Sequence, residues 1–483
     1  MKRWWMAAAL SLLCGGSAWA QYLDYAVGQR AHFEPGSRVT ARLMGMGGLA
    51  AVIEDENNEL NLIDFGRNLA GIADDRDGWS VEGWGRRSRD VDEYRIMGQG
   101  DRYRYRVSRE RSGIDAAWRG GGKTYGLTVL WDRLKTADPA GDGTNVRGPS
   151  VSAYAGGVLG PVRWGAGIGG WTDDQFYPLQ IAHAATGWVY SLGLAADPGA
   201  WTIGAQLAVD DVSIDGESKD PEGYHRDEYT WSRPATSLRL SLLRERSARL
   251  GLGLNCTFLR REGIEEASIS WSDRYPYNPS DRGFTTTVPT FEEEESGLLL
   301  EGRMRYRWTD ALQSALFSTL ETFDVKVEDS ANTNFPGSLR AEDSDGWIWT
   351  GGGGMGCRLL GGRAHAGVEG LYTQGNLESI EEGVSTSTDW RVVEARAGVQ
   401  VLFRSRLALR GGGTFGVRDG DVDAPSNLYN IRSLPIGLGY IPPGGPIVLD
   451  GALVWGWWKP DYEASIEAER ETTAAAVSAR FLF

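Results

Sequence analysis

The sequence contains few of the residues from which metal and redox sites are built. Among 483 residues there are 3 Cys and 4 His, and one cysteine, Cys14, lies in the first segment of the chain. The other two, Cys256 and Cys357, cannot form a disulfide framework for a chain of this length. No serine can be paired by spacing with a histidine such as His365. We therefore predict no metal site, no cofactor, no catalytic residues and no enzymatic activity.

Positive charge and long apolar runs are also scarce. The chain carries 50 Lys and Arg against 65 Asp and Glu, a net charge of -15, which argues against nucleic acid as a partner. Beyond the amino end, no stretch approaches the roughly 18 continuous apolar residues of a membrane-spanning helix. If the protein lies in a membrane, it must cross with strands.

The amino end has the three parts of a secretory signal. Lys2 and Arg3 form a short basic region, an apolar run extends over residues 4–13, and Ala18-Trp19-Ala20 is a small-x-small cleavage site. These features predict that residues 1–20 are a signal peptide and that the chain is exported.

Glycine and aromatic residues are abundant: 66 Gly, 20 Trp and 18 Tyr, with a mean hydropathy of -0.34. A transmembrane barrel is only modestly hydrophobic, because half of each strand faces a polar lumen, and its Trp and Tyr gather at the two interfaces. From Trp79 onwards, short segments of alternating apolar and polar residues are joined by Gly-, Pro- and Asp-containing turns. These turns alternate with long polar connections such as 210–227 and 260–290, which is typical of outer-membrane barrels.

The last segment, TTAAAVSARFLF over 472–483, alternates in the same way and ends on Phe481 and Phe483. A final amphipathic strand with an aromatic end resembles the assembly signal of outer-membrane barrels, so we expect it to bind the barrel assembly machinery. The eight hairpins, an opening strand and this closing strand predict about eighteen strands, within a range of about 14–18. The predicted fold is an all-β transmembrane antiparallel β-barrel over residues 78–483, with an N-terminal hatch or plug segment over 21–77.

Charged residues within the strands fall almost entirely on the face opposite the apolar one. The densest group on this predicted lumen face comprises Glu301, Arg303, Arg305, Arg307, Glu394 and Arg396. Rings of Arg select anions in pores, so the three alternate arginines, Arg303, Arg305 and Arg307, could form an anion-attracting constriction. Alternatively, they pair with lumen carboxylates or with the many acidic residues of the plug segment.

Part of the N-terminal segment resembles the hatch of the long-chain fatty acid transporter family and of related type IX secretion barrels. The resemblance rests on the run from Arg42 to Gly48, the acidic pair Glu54-Asp55, and Asn68-Leu69-Ala70-Gly71-Ile72, where the family usually has Pro in place of Leu69. It implies a barrel of about fourteen strands whose lumen is plugged and admits hydrophobic molecules. By this resemblance, the hatch residues of the chain are Gly45, Gly47, Gly48, Asn68, Ala70 and Gly71.

Three functions follow as hypotheses. The first is passive transport of hydrophobic small molecules across the bacterial outer membrane. The second is a general or anion-selective porin, and the third is a secretion-associated or other non-transport barrel. In each, the expected partners are outer-membrane lipids and lipopolysaccharide. An apolar pocket in the lumen would favour the first function, an open aqueous channel the second, and a lumen sealed by paired charges the third.

Overall fold

The computed structural model describes Met46, Leu49 and residues 78–96, 102–137, 145–177, 181–219, 225–232, 234–244, 249–272, 282–328, 342–381, 384–403, 406–421, 428–440, 447–461 and 466–482. Nearly all of these residues lie in strands. In chain order the strands are β1 Gly78–Ile96, β2 Arg102–Gly120, β3 Lys123–Ala137, β4 Asn145–Leu159, β5 Val162–Tyr177, β6 Ile181–Ala196, β7 Trp201–Lys219, β8 His225–Ser232, β9 Ala235–Arg244, β10 Leu250–Ser272, β11 Arg282–Arg307, β12 Leu312–Glu328, β13 Glu342–Leu359, β14 Ala364–Glu381, β15 Val384–Phe403, β16 Leu407–Asp421, β17 Leu428–Tyr440, β18 Ile447–Asp461 and β19 Ile466–Leu482.

The strands form one closed antiparallel sheet. Each strand pairs with its neighbour in the chain, and β19 pairs with β1 to close the barrel. β8 and β9 both lie between β7 and β10, so they are two parts of one strand and the barrel has 18 strands. The interruption is at Pro234, which has no N–H to donate to the ladder, while its carbonyl accepts a 3.1 Å hydrogen bond from the Glu262 amide. The predicted all-β barrel is thereby confirmed.

Side chains alternate between an apolar outer face and an inner face along each strand. On β3, Tyr125, Leu127 and Trp131 are about half exposed, whereas Thr124 and Thr128, which alternate with them, are buried. A closed sheet that lies in lipid needs large apolar side chains on its outer face, and this barrel has them all round. At the ends next to the short turns, aromatic side chains of neighbouring strands meet. The rings of Trp118 and Tyr125, for example, stack with centroids 5.8 Å apart, as in an interfacial girdle.

The short turns lie where the sequence predicts them. Gly121 and Gly122, with φ of 61° and 71°, join β2 to β3 in a two-residue turn that requires positive φ at both positions. The long connections, by contrast, are shorter than the sequence predicts. β7 continues to Lys219, β10 to Ser272, and β11 begins at Arg282. The ladder continues there because backbone pairing needs no apolar face, so polar sequence marks the edge of the lipid rather than the end of a strand.

Helical structure is minimal in the part of the chain that the structure describes. It amounts to one 3-10 turn, Leu360–Gly362, in the β13–β14 hairpin. No helix within those residues is long and apolar enough to cross a membrane. Cys256 and Cys357 are unbridged and half-buried.

Candidate functional site

The inner face of β1 to β7 carries a row of large apolar side chains. Cross-strand partners place the row on seven adjacent strands in the order Trp84, Gly113, Leu130, Ser150, Trp171, Gly187 and Val212. Leu130, Trp171 and Val212 are buried, and the last two pack together as an apolar cluster. We call Trp84, Leu130, Trp171 and Val212 the apolar row.

Two glycines let the rings of this row lie flat against the barrel wall. A Cβ at Gly113 would lie 2.5 Å from Leu130 Cδ2 and 2.9 Å from Trp84 Nε1, and a Cβ at Gly187 would overlap the Trp171 indole. Real side chains do not approach so closely. The alternation of a large residue with glycine on the next strand therefore lines the wall with apolar surface without filling the lumen.

Polar and charged side chains line the lumen nearer the short turns. Glu82 on β1 forms a 3.0 Å ion pair with Arg480 on β19, and the Asn255 amide donates to Glu301 over 3.2 Å. On β15, Glu394 and Arg396 pair with each other. The charges in this part of the wall therefore bind polar or charged groups of the same or the neighbouring strand, which reduces the cost of placing them inside the barrel.

The most buried of these pairs crosses a glycine. Arg410 on β16 and Asp450 on β18 lie 2.6 Å apart, with side chains 0% and 9% exposed, and Arg410 also donates to Gln400 over 2.8 Å. Gly439 on β17 lies between them, and a Cβ there would be 2.5 Å from Asp450 Oδ1. The pair therefore bridges three strands, and it can do so only because β17 has no side chain at this point.

Arg303, Arg305 and Arg307 alternate with outward residues and lie on the inner face of β11, near its C-terminal end. Arg305 is 7% exposed and has Arg307 and, from β13, Arg358 within electrostatic range. Arg303, Arg305 and Arg358 each also interact with other groups of the protein. Cross-strand partners connect Arg305 to Arg396 through Ala315, Gly354 and Glu369, so these two predicted lumen arginines lie on one continuous row.

The N-terminal segment reaches the lumen wall at one described point. Met46 and Leu49 are both 0% exposed. A Cβ at Gly398, on the inner face of β15, would overlap the Met46 carbonyl oxygen and lie 3.0 Å from Leu49 Cδ1. Main chain of the N-terminal segment is therefore packed against the inside of the barrel at Gly398.

The remaining predicted residues divide into two groups. Phe481 lies on β19 opposite Val81 of β1, where the barrel closes. Gly45, Gly47, Gly48, Asn68, Ala70, Gly71, Phe483 and the predicted signal peptide lie outside the described residues. Among the described residues, no group of three or more His, Cys, Asp or Glu is placed to hold a metal ion.

Sequence reasoning missed the apolar row and the contact at Gly398. A signal for the row was present, because Trp84, Leu130 and Trp171 stand out of phase with the outward residues of their strands. No pattern in the sequence could have indicated Gly398, since that contact joins positions more than 300 residues apart.

Comparison with known proteins gives similarity in fold at low identity. No family model and no curated protein matches the chain, so the resemblance to the fatty acid transporter family stays a prediction. Similar solved structures include the siderophore receptor PiuA from Acinetobacter baumannii, with 10% identity over 84% of this chain and 82% of that chain and a TM-score of 0.46. The toluene transporter TodX from Pseudomonas putida has 13% identity over 92% and 98%, with a TM-score of 0.37. The toluene transporter TbuX from Ralstonia pickettii has 11% identity over 93% and 98%, with a TM-score of 0.38. These values are too low to transfer a ligand to this chain.

Proposed function

We propose that this barrel lies in the bacterial outer membrane and transports hydrophobic small molecules passively. The observation that carries the proposal is the apolar row on the inner face of β1 to β7, in which Trp171 and Val212 pack together. The lumen of a general porin is polar because it holds water and hydrated solutes. Large inward Trp and Leu side chains serve no such solute. Leu130, Trp171 and Val212 are packed into an apolar wall while Trp84 is half-buried, so an apolar molecule would meet this wall at Trp84 and at the edges of the packed side chains.

The expected affinity of such a surface is suited to passage. A small molecule that buries on the order of 150 Å² of apolar area gains about 4 kcal/mol at roughly 25 cal/mol per Å². With no cost of association this would correspond to a dissociation constant of about 1 mM, and the lost translational and rotational freedom of the solute makes binding weaker than that. Binding is then favourable enough to draw the solute from water and weak enough to release it, which is the condition for passive flux through a binding site.

The second part of the proposal is that residues 21–77 plug the lumen. Two observations support it: the burial of Met46 and Leu49, and their contact with Gly398 on the inner wall. A plug held at this wall would block bulk water and ions, while apolar solutes bind on the opposite side at the apolar row. We further propose that transport, not catalysis, is the activity, and that Phe481 and Phe483 serve recognition by the barrel assembly machinery.

A second candidate function is an anion-selective pore. The arginines at 303, 305 and 307 on the inner face of β11 favour it, since clustered guanidiniums attract anions in pores. The pairing of Glu82 with Arg480 and of Arg410 with Asp450 favours a wall held together by its own charges instead. That pairing would equally suit a sealed, secretion-associated barrel.

Single-channel conductance in a planar bilayer distinguishes these functions. The full-length protein is compared with a version that lacks residues 21–74, each checked for heat-modifiable migration on gels. Plugged transport predicts a closed full-length barrel and a conducting truncated barrel. A full-length protein that conducts steadily with anion preference would instead favour the pore. A truncated protein that stays closed would favour the sealed barrel.

A further inference from the structure

A patch of basic residues lies on the outer face of β1 to β3, just beyond the apolar band. Outward-facing side chains at this end of the three strands include six bases and two acids, Glu93 and Glu110. The bases, which we call the basic patch, are Arg87, Arg89, Arg104, Arg106, Arg133 and Lys135. An excess of four positive charges on three adjacent strands is unexpected in a chain whose net charge is -15.

The change from apolar to basic is abrupt and occurs at one row of the sheet. Gly85, Ser112 and Trp131 are cross-strand partners and form the last uncharged row. The next row, farther from the short β2–β3 turn, consists of Arg87, Glu110 and Arg133. The row after that consists of Arg89, Ser108 and Lys135. Since Trp and Tyr mark the membrane interface, the patch begins where the hydrocarbon region ends and the lipid headgroups begin.

The side chains of the patch remain accessible even where they form ion pairs. Arg87 lies 3.2 Å from Glu110 with 67% of its side chain exposed, and Arg104 lies 3.1 Å from Glu93 with 48% exposed. Exposed ion pairs of this kind contribute little to stability, so they exchange partners readily. The guanidiniums are therefore open to an anion that approaches from the plane of the membrane.

The opposite side of the barrel has the reverse charge at the same end. On the outer faces of β7 to β15, the described outward charges beyond the apolar band are eight acids and three bases. The acids are Asp211, Glu262, Glu294, Asp324, Asp343, Asp345, Glu378 and Asp389, and the bases are Arg260, Lys326 and Arg391. The basic patch is therefore a local feature of β1 to β3 and not a collar around the barrel.

A hollow of about 470 Å³ adjoins the patch on the outer face of β18, β19 and β1. It is lined by Val91, Trp455, Gly456 and Trp457 and by two acids, Glu93 and Glu471. Trp455 lies in the same cross-strand row as Arg89, with Thr473 of β19 between them. Trp457 lies in the same row as Arg106, with Glu471 of β19 and Val91 of β1 between them. The two indoles and Val91 give the hollow an apolar part, on the side of it that lies in one row with Arg89, which suits an acyl chain of a lipid whose anionic headgroup lies on the patch.

The patch lies at the end of β1 to β3 away from the short β2–β3 turn, and short turns face the periplasm in outer-membrane barrels, so this end is at the level of the outer leaflet. We propose that the basic patch binds the phosphates of lipopolysaccharide in the outer leaflet. Arginine binds phosphate oxygens through paired N–H donors, and a cluster of arginines at headgroup height holds a phosphorylated lipid more firmly than a diffuse field does. The hollow beside Trp455 and Trp457 receives the apolar part of the same lipid. The proposal rests on the outer-membrane location proposed above but not on transport.

The test is binding of bisphosphorylated lipid A to the full-length protein in detergent, measured by native mass spectrometry or by titration of a labelled lipid. The patch variant combines Arg89→Gln, Arg106→Gln and Lys135→Gln. The matched control combines Arg260→Gln, Lys326→Gln and Arg391→Gln, which removes three outward bases from the other side. Heat-modifiable migration on gels shows that each variant is folded, and lipid A without phosphates is the control ligand.

We expect the patch variant to bind lipid A on the order of a hundredfold more weakly than the unmodified protein, because each base near an anionic lipid surface adds about fivefold and the variant lacks three of them. We expect the control variant to bind normally and the dephosphorylated lipid to bind weakly to all three proteins. Equal binding by the two variants, or equal binding of the dephosphorylated lipid, would overturn the proposal. Neither result bears on transport, so the two proposals can fail separately.

Discussion

Replacing Gly398 with alanine should open the barrel to ions without unfolding it. The added Cβ would overlap the Met46 carbonyl oxygen and would lie 3.0 Å from Leu49 Cδ1. Because the Met46 atom belongs to the backbone, it cannot move aside as the end of a side chain does. The N-terminal segment must therefore leave this part of the wall.

The size of the effect follows from the area that the segment buries. Met46 and Leu49 are both fully buried, and burial of such side chains is worth ~1.5–3 kcal/mol each. If half of the combined energy is lost, ~1.5–3 kcal/mol, the fraction of barrels with a displaced segment should rise about 10- to 150-fold. The wall itself keeps its ladder, since glycine and alanine differ by one methyl group.

The assay is single-channel recording of Gly398→Ala beside Gly411→Ala. Gly411 lies on the neighbouring strand β16, and a Cβ there would meet nothing within 4 Å. We expect frequent opening events for the first variant and the closed behaviour of the unmodified protein for the second. If both variants remain closed while both are folded, the contact at Gly398 does not hold a plug.

Other perturbations test the remaining parts of the lumen. Gly439→Ala would place a Cβ 2.5 Å from Asp450 Oδ1. Disrupting the buried Arg410–Asp450 ion pair should cost about 3 kcal/mol, which would lower the temperature at which the folded, faster-migrating form disappears on gels. Trp171→Ala should weaken binding of an apolar fluorescent probe by about tenfold through lost apolar area, while Trp188→Ala on the lipid face should leave it unchanged. In the protein that lacks residues 21–74, Arg305→Gln should shift the reversal potential towards equal permeability of anion and cation, whereas an unchanged potential would place Arg305 outside the ion path.

The barrel could be predicted from the sequence because lipid imposes a simple rule on every strand. A side chain that meets lipid must be apolar, so the outward positions from Leu250 to Phe258 repeat with period two and reveal their facing directly. The short turns carry their own chemistry, as Gly121 and Gly122 illustrate. The strand number followed by counting hairpins, whereas the extensions of β7 and β10 beyond the lipid could not be predicted, because polar residues in water suit strand and loop equally.

The lumen was less predictable because no single constraint governs it. Inward positions accept apolar, polar or charged residues, so each feature depends on what several strands bring together. The ion pair across Gly439 joins residues from β16 and β18, and the apolar row draws on seven strands. The arginines of β11 could be placed on the inner face from alternation alone. The position of Arg305 on one row with Arg396 required the register of the intervening strands.

The most direct test of the central claim is uptake by proteoliposomes that contain the full-length protein. Two solutes are compared: an apolar aromatic fluorescent probe and a hydrophilic sugar of similar size. Plugged transport of hydrophobic molecules predicts that the protein accelerates entry of the apolar probe over protein-free liposomes, that Trp171→Ala slows this entry, and that the sugar stays outside. Accelerated entry of the sugar with no gain for the apolar probe would contradict the account and would make the lumen an aqueous pore.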